Sequence, residues 1–254
     1  MHSILYYKGI SKYNIRAVQV CISGASPLPV DLQNKFEKET GALIVEGYGL
    51  SESSQVANVN PLDANKRRIG SVGPPLPNTY ERIVDIETGR NEMKTGEVGE
   101  LVIKGPQVML GYWNNMAETE RALRDGWLYT GDLAKMDEEG FVYIVDRKKD
   151  MIIASGYNVY PREVEEVLYR HPKVSEAAVV GIEDPHRGEN VRAYIVLKKG
   201  EHATDEEIKE FCEKYLAVYK VPKVVEFRDS LPMSLVGKIL KRELKNEDHS
   251  FETQ

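Results

Sequence analysis

The chain has 254 residues, 41% hydrophobic and 29% charged, with a formal net charge of −6, a soluble globular composition with room for one large domain or two ordinary ones. No apolar run approaches the ~20 residues of a membrane helix. The terminus M-H-S-I-L-Y-Y-K-G-I shows no secretory cleavage pattern, so a cytoplasmic protein is expected. The acidic balance argues against general nucleic-acid binding.

Val18 to Ser23 reads as a buried strand running into the turn G-A-S-P-L-P. Val30, Leu32 and Phe36 then mark one face of a short helix, which Gly41 is placed to end in the left-handed conformation. A second strand, Ala42 to Val45, leads into E-G-Y-G-L-S-E. Strand, helix, strand at this spacing is one α/β unit, and ligands gather at the carboxyl ends of strands in such sheets.

From Ile69 the pattern changes to short strands separated by turns rich in glycine and proline, which predicts a small antiparallel β unit or barrel with Glu100 to Lys104 as its clearest strand. Asn114 to Leu123 is a polar helix, and D-E-E-G closes a hairpin before Phe141 to Val145. The block D-R-K-K-D, Asp146 to Asp150, follows; five consecutive charges between apolar runs are expected to stay in solvent at a domain junction. Pro161 opens a helix carrying Val164, Val167 and Leu168 on one face. Val174 to Val180, Val191 to Leu197 and Val224 to Phe227 are strands, and Thr204 with Glu207 is a capping box opening a helix through Tyr215. A basic helix is predicted over Gly237 to Leu244. Cys21 and Cys212 are expected to be packing residues rather than a disulfide.

Taken singly, the motifs leave their chemistry open. G-Y-G-L-S-E offers glycine amides for an anion, the Ser51 hydroxyl for a phosphate and the Glu52 carboxylate for Mg²⁺, but it also suits an ordinary glycine turn. T-G-D-L could aim Asp132 at a pair of sugar hydroxyls or form an Asx turn. Lys238 follows a glycine in V-G-K-I-L-K-R, where Pro232 and Ile239 break the P-loop pattern. A hydrolase elbow and a cysteine–histidine metal pattern are absent from the sequence.

The ordered set is more specific. E-G-Y-G-L-S-E-S, G-E-V-G-E-L-V-I-K-G-P-Q-V-M-L-G-Y-W-N-N, D-G-W-L-Y-T-G-D-L, V-D-R-K-K-D-M-I-I-A-S-G-Y-N-V-Y-P-R-E-V-E-E-V-L and V-G-K-I-L-K-R-E-L succeed one another at spacings that resemble the adenylate-forming acyl-CoA synthetases. Luciferase and the adenylation domains of peptide synthetases are relatives of that family, and the wording here looks most like its fatty-acyl-CoA ligases.

The resemblance implies an ATP-dependent, AMP-forming ligase with Mg²⁺ and coenzyme A as co-substrate, and a carboxylic acid, a fatty acid above all, as its partner. Carried over by position, Gly24, Ala25 and Ser26 would line the adenine, Tyr48 would stack on or beside it, and Gly49 would lie in the same nucleotide loop. Ser51 would contact the α-phosphate, Glu52 the metal, and Asp132 with Arg147 the ribose. Lys238 would bridge the attacking carboxylate and the α-phosphate. Lys149 would be the hinge of a mobile small domain, with Ser155, Gly156 and Tyr157 on the pantetheine channel. The family's usual S-G-G-A-P-L reads S-G-A-S-P-L here, and Leu235-Val236 stand before Gly237 where a small polar residue is usual.

The resemblance further implies α/β plus β architecture: residues 1–148 as the carboxyl-terminal part of a large AMP-binding domain, with 1–65 an α/β remnant and 66–148 a β-barrel-like unit, then 149–254 as a complete small α+β domain. The family's phosphate-binding loop ending in P-K-G is not in this chain. The chain is therefore expected to be a fragment, inactive alone, that dimerises or associates with the missing half. Alternatives are a non-catalytic module that binds AMP or a partner, and an adenylation domain that loads an acyl carrier protein.

Overall fold

The computed structural model describes residues 2–5, 7, 9–25, 28–234 and 237–251. The chain divides into two units, Met1–Lys148 and Lys149–Gln254. Among the described residues, no helix is long and apolar enough to cross a membrane.

The first unit begins with a one-turn helix, α1 (His2–Leu5), and then strand β1 (Val20–Ser23), helix α2 (Val30–Thr40) and strand β2 (Leu43–Tyr48). β1 and β2 are parallel, with Ser23 opposite Glu46, so both carboxyl ends fall on one edge. Leu28, Phe36, Ala42 and Ile44 bury the underside of α2. Gly41 ends α2 at φ 75, and its N–H donates to the Glu37 carbonyl at 2.8 Å. Glu37 accepts from the Ile44 amide at 2.8 Å and from both Arg67 guanidinium nitrogens at 2.5 and 2.6 Å, tying the helix to β2. β2 runs three residues beyond the predicted Val45. Its extension pairs with the short β3 (Asn58–Val59), Gly47 opposite Val59 and Tyr48 opposite Asn58.

Strands β4 (Tyr80–Val84) and β5 (Gly99–Lys104), helix α3 (Met116–Ala122), and strands β6 (Leu123–Arg124), β7 (Trp127–Met136) and β8 (Val142–Arg147) complete this unit. The sheet is antiparallel in the order β4-β5-β7-β6, with β8 also on β7. Ile83, Leu101, Ile103, Ala134 and Val142 bury its inner side. Of the antiparallel β unit or barrel expected, the structure has the open sheet: among the described residues no pairing joins β4 to β8. Ten-residue β7 serves β6 with one end and β8 with the other, and register shifts at Glu100/Val102 and Leu133/Ala134 add twist without closing the ring.

The second unit holds β9 (Ile152–Ala154), β10 (Tyr157–Val159), α4 (Pro161–Arg170), β11 (Val174–Asp184), β12 (Gly188–Leu197), α5 (Asp205–Glu213), β13 (Val224–Phe227) and α6 (Lys241–Phe251). The sheet order is β10-β9-β12-β11, with β13 parallel to β12. The run A-A-V-V explains itself by alternation. Ala177 and Val179 join Val164, Val167, Leu168, Ile208 and Cys212 on one side. Ala178 and Val180 join Tyr194, Leu231 and Leu244 on the other. Each fully buried Leu or Ile here contributes about 1.5–3 kcal/mol.

Thr204 caps α5, its hydroxyl accepting from Glu207 N at 3.2 Å. Burial pushes the Cys212 thiol up to about 11, consistent with a packing residue. The basic terminal helix starts later than the sequence predicts, at Lys241 rather than Gly237. Gly237 takes φ 78, and Lys238 N donates to Ser234 Oγ at 3.1 Å, so the helix cannot start at Gly237.

Candidate active site

In the first unit the edge where β1 and β2 end carries several of the residues singled out in the sequence. Gly24 follows β1 and lies so close to β2 that a Cβ there would stand 3.1 Å from the Gly47 carbonyl. Ala25 takes φ 64; Ser26 lies outside the described residues. Gly49 is demanded by the backbone itself, since a Cβ would fall 1.3 Å from the Gln55 carbonyl oxygen. That approach is made by a 3₁₀ turn, Ser51–Ser53, after which Ser54 and Gln55 adopt φ 51 and 81 and fold the loop back. Gln55 N closes it on the Leu50 carbonyl at 2.9 Å.

Tyr48, the last residue of β2, reaches across to β7, where its hydroxyl donates to Asp132 Oδ2 at 2.6 Å. Burial, then the Asp132 charge, hold the Tyr48 phenol well above its usual range, so it serves as a donor at any physiological pH. Arg147 on β8 is the register partner of Asp132 on β7, and its Nε stands 2.8 Å from Asp132 Oδ1. Asp132 is 5% exposed. It therefore lies in a strand, oriented from two neighbouring elements, and not in an Asx turn. Thr130 accepts from the Asp132 amide at 3.1 Å, and Glu100 accepts from Gly131 N at 3.1 Å and from Lys148 Nζ at 2.8 Å.

Glu52 is held separately. Tyr112 donates to its Oε1 at 2.7 Å, and Met109 N donates to its carbonyl at 2.8 Å. Burial and the bond to Glu52 push the Tyr112 phenol up to about 12. Ser51 beside it is exposed. Among the described residues no group of three or more His, Cys, Asp or Glu forms a metal cage. A divalent cation at Glu52 would take most of its ligands from phosphates and water, the usual habit of Mg²⁺.

The charged block departs from expectation. Asp146 is 8% exposed, Arg147 and Lys148 are engaged by Asp132 and Glu100, and Lys149 alone is largely in solvent. Antiparallel pairing with β7 carries Asp146 and Arg147 inside the sheet, where a carboxylate partner waits for the arginine.

In the second unit, Ser155 and Gly156 form the two-residue turn of the β9–β10 hairpin, with φ 54 and 82. Tyr157 opens β10 and stacks on Tyr219, ring centroids 4.6 Å apart. Lys238 is exposed on its turn. The structure thus gathers Tyr48, Asp132 and Arg147 into one cluster in the first unit, with Glu52 held by its own loop. Sequence reasoning missed Tyr112, Thr130 and Glu100, although Tyr112 and Glu100 stand in the long motif that ends L-G-Y-W-N-N.

A carboxylate fixed by a phenol and a guanidinium, next to glycine turns at the carboxyl ends of parallel strands, defines a nucleotide-binding α/β protein. Residues 2–113 match the AMP-binding enzyme family, and residues 163–238 match the AMP-binding enzyme C-terminal domain. The chain belongs to this family of adenylate-forming enzymes.

It is 52% identical over 245 residues to the long-chain-fatty-acid–CoA ligase of Bacillus subtilis, covering 96% of this chain and 43% of that protein. ATP-bound MatB from Rhodopseudomonas palustris superimposes with TM-score 0.85 at 38% identity, over 89% of this chain and 44% of that one. The amide bond synthetase McbA from Marinactinospora thermotolerans gives 0.88 at 32% identity, over 97% and 50%. The chain spans less than half the length of the curated relatives it matches.

Proposed function

We propose that this chain supplies the ribose-handling, metal-handling and thiol-handling parts of an AMP-forming long-chain fatty-acyl-CoA ligase. The observation that carries the reading is Asp132, a buried carboxylate held by Tyr48 on one oxygen and Arg147 on the other. In this reading a fatty carboxylate oxygen bonds to the α-phosphorus of ATP while the bond to the bridging oxygen breaks and pyrophosphate leaves. The deprotonated thiol of coenzyme A then bonds to the acyl carbon, the bond from that carbon to the AMP oxygen breaks, and AMP leaves.

Gly24, Ala25, Ser26, Tyr48 and Gly49 border the base; Asp132 and Arg147 hold the ribose; Ser51 donates to the α-phosphate. Mg²⁺, with Glu52 as its protein ligand, would offset phosphate charge. Lys238 stabilises the two anions as they meet, Lys149 is the pivot of the small domain, and Ser155, Gly156 and Tyr157 line the thiol path. Tyr48 acts through its hydroxyl on Asp132, whatever its ring does beside adenine. A cytoplasmic location goes with this reading.

The test is pyrophosphate release with ATP and a long-chain fatty acid. The chain alone is expected to show none. Joined to the segment of the Bacillus subtilis relative that precedes the matched region, it is expected to turn over. In that fusion Lys238→Ala slows adenylation by on the order of 10²–10³ and leaves thioester formation from supplied acyl-AMP within a few-fold. Robust turnover by the chain alone, or equal loss in both steps, refutes these assignments. Because McbA is an amide bond synthetase, an amine and a carrier-protein thiol belong in the acceptor panel beside coenzyme A.

A further inference from the structure

Glu81 lies on the inner side of β4, in step with Ile83 two residues on. Its Oε2 accepts from Asn58 Nδ2 at 3.0 Å, and Asn58, fully buried, gives its other amide hydrogen to the Gly73 carbonyl at 3.3 Å. The remaining oxygens of the pair, Glu81 Oε1 and Asn58 Oδ1, are both buried without a hydrogen-bond partner. Two orphaned acceptors on adjacent side chains lack one hydrogen atom between them. A neutral carboxylic acid provides it: the amide N–H donates to the acid's carbonyl oxygen, and the acid's O–H donates to the amide oxygen.

We propose that Glu81 keeps its proton through the mildly acidic range, up to near neutrality, and shares it with Asn58 Oδ1, closing an acid–amide ring that holds Tyr48, and through it Asp132, in position. Asn58 is the cross-strand partner of Tyr48, whose hydroxyl donates to Asp132. Glu81 is therefore a positioning residue. Burial raises its carboxyl to about 7, against the opposing effect of the Asn58 bond.

Among the described residues no cation stands against Glu81 to offset its charge. β2 contributes Tyr48, with Asp132 from β7 and Arg147 from β8 beyond it. β3 contributes Asn58, and opposite Glu81 in β5 stands Ile103. Arg82, the next residue on β4, stacks over Trp127 and meets Glu92 at 3.7 Å. An ionised Glu81 adds negative charge beside a tyrosine already raised by Asp132.

The sign follows from the raised value. Below about 4.5, the ordinary glutamate value, folded and unfolded chains are both protonated and the full contribution is present. Between there and about 7 the unfolded chain ionises while the folded chain holds its proton, so stability falls as pH rises through this window, then levels.

The experiment is urea unfolding of the chain and of Glu81→Gln at pH 5, 7 and 8.5. The glutamine amide rebuilds the ring with no proton to lose. The ratio of folding constants, variant over parent, is expected to rise by on the order of 10- to 100-fold from pH 5 to 8.5, with loss in the variant of an infrared band from a neutral acid carbonyl. A variant less stable at all three values, or a ratio indifferent to pH, overturns the ring.

The positioning role rests on the nucleotide reading and has its own readout, AMP affinity by calorimetry. The parent's affinity should weaken several-fold between pH 7 and 8.5 while the variant's holds. Parallel affinities across pH overturn the link to Tyr48. Failure of both proteins to bind AMP, with the stability ratio still rising, supports the ring and counts against the nucleotide reading.

Discussion

Ala25 holds φ 64 in a region where a Cβ crowds the neighbouring carbonyl, at the position where the family's usual string has glycine. Ala25→Gly is expected to stabilise the chain by about 1 kcal/mol, strain relief of ~1–2 kcal/mol outweighing the extra freedom of glycine in the unfolded state; urea unfolding measures it, and a loss of stability would contradict the strain. Asp132 sets a second expectation. Asp132→Asn keeps the shape but removes the charge opposite Arg147, so AMP affinity should fall by about tenfold or more, the scale of a charge-assisted hydrogen bond; unchanged affinity in a calorimetric titration would remove Asp132 from the nucleotide site. At this scale the sequence was half legible. The motifs led to Tyr48, Glu52, Asp132 and Arg147, but what holds each of them comes from other strands and loops. Tyr112 lies sixty positions beyond Glu52, and Glu81 betrays itself only as a carboxylate in the inward phase of Y-E-R-I-V.

Elements were legible where one signal decides them. Gly41 ended α2 and Thr204 opened α5, as expected; the β9–β10 turn at Ser155-Gly156 has the paired positive φ values of a type I′ turn. Gly156 has no atom within 4 Å of a built Cβ, so the cost of Gly156→Ala is conformational, about 1 kcal/mol. Ser155→Asn should have the opposite sign, since asparagine tolerates the left-handed region. Thermal unfolding of the two variants is expected to move in opposite directions, and the same direction for both would refute the turn assignment. The terminal helix was misplaced because basic residues after a glycine satisfy helix propensity, while the Ser234–Lys238 bonds that forbid it are made across the turn. The choice between an antiparallel β unit and a barrel stayed open for a related reason: strand count is written in the sequence, whereas ring closure depends on which strands β7 shares.

For the whole molecule, the division at 148/149 is where charge replaces apolar sequence, yet the reason expected for it was solvation and the reason observed is pairing. The strand expected to be buried is instead an outer one: in β1 Val20 and Ile22 are 43% and 78% exposed, and Val18 just before it is 47% exposed. An edge of this kind invites pairing. Light scattering of the chain is expected to show concentration-dependent association, which Ile22→Lys should reduce; a monomer at all concentrations would contradict it.

Arg147, Lys148 and Lys149 also present three consecutive targets to a protease that cleaves after basic residues. The first lies in a paired strand with its guanidinium against Asp132, and the second has its amine on Glu100. Cleavage requires several residues to be drawn out extended; Asp146 and Arg147 are held in β8 and Ile152 is buried in β9, so Lys149, exposed between the two strands, is the most accessible of the three. Brief trypsin treatment read by mass spectrometry should therefore show first cleavage at the junction after Lys149, with Arg147 and Lys148 still on the amino-terminal piece. Early cuts after Arg147 would mean those clamps open on their own. The two ion pairs thus hold the end of β8 against fraying from the junction.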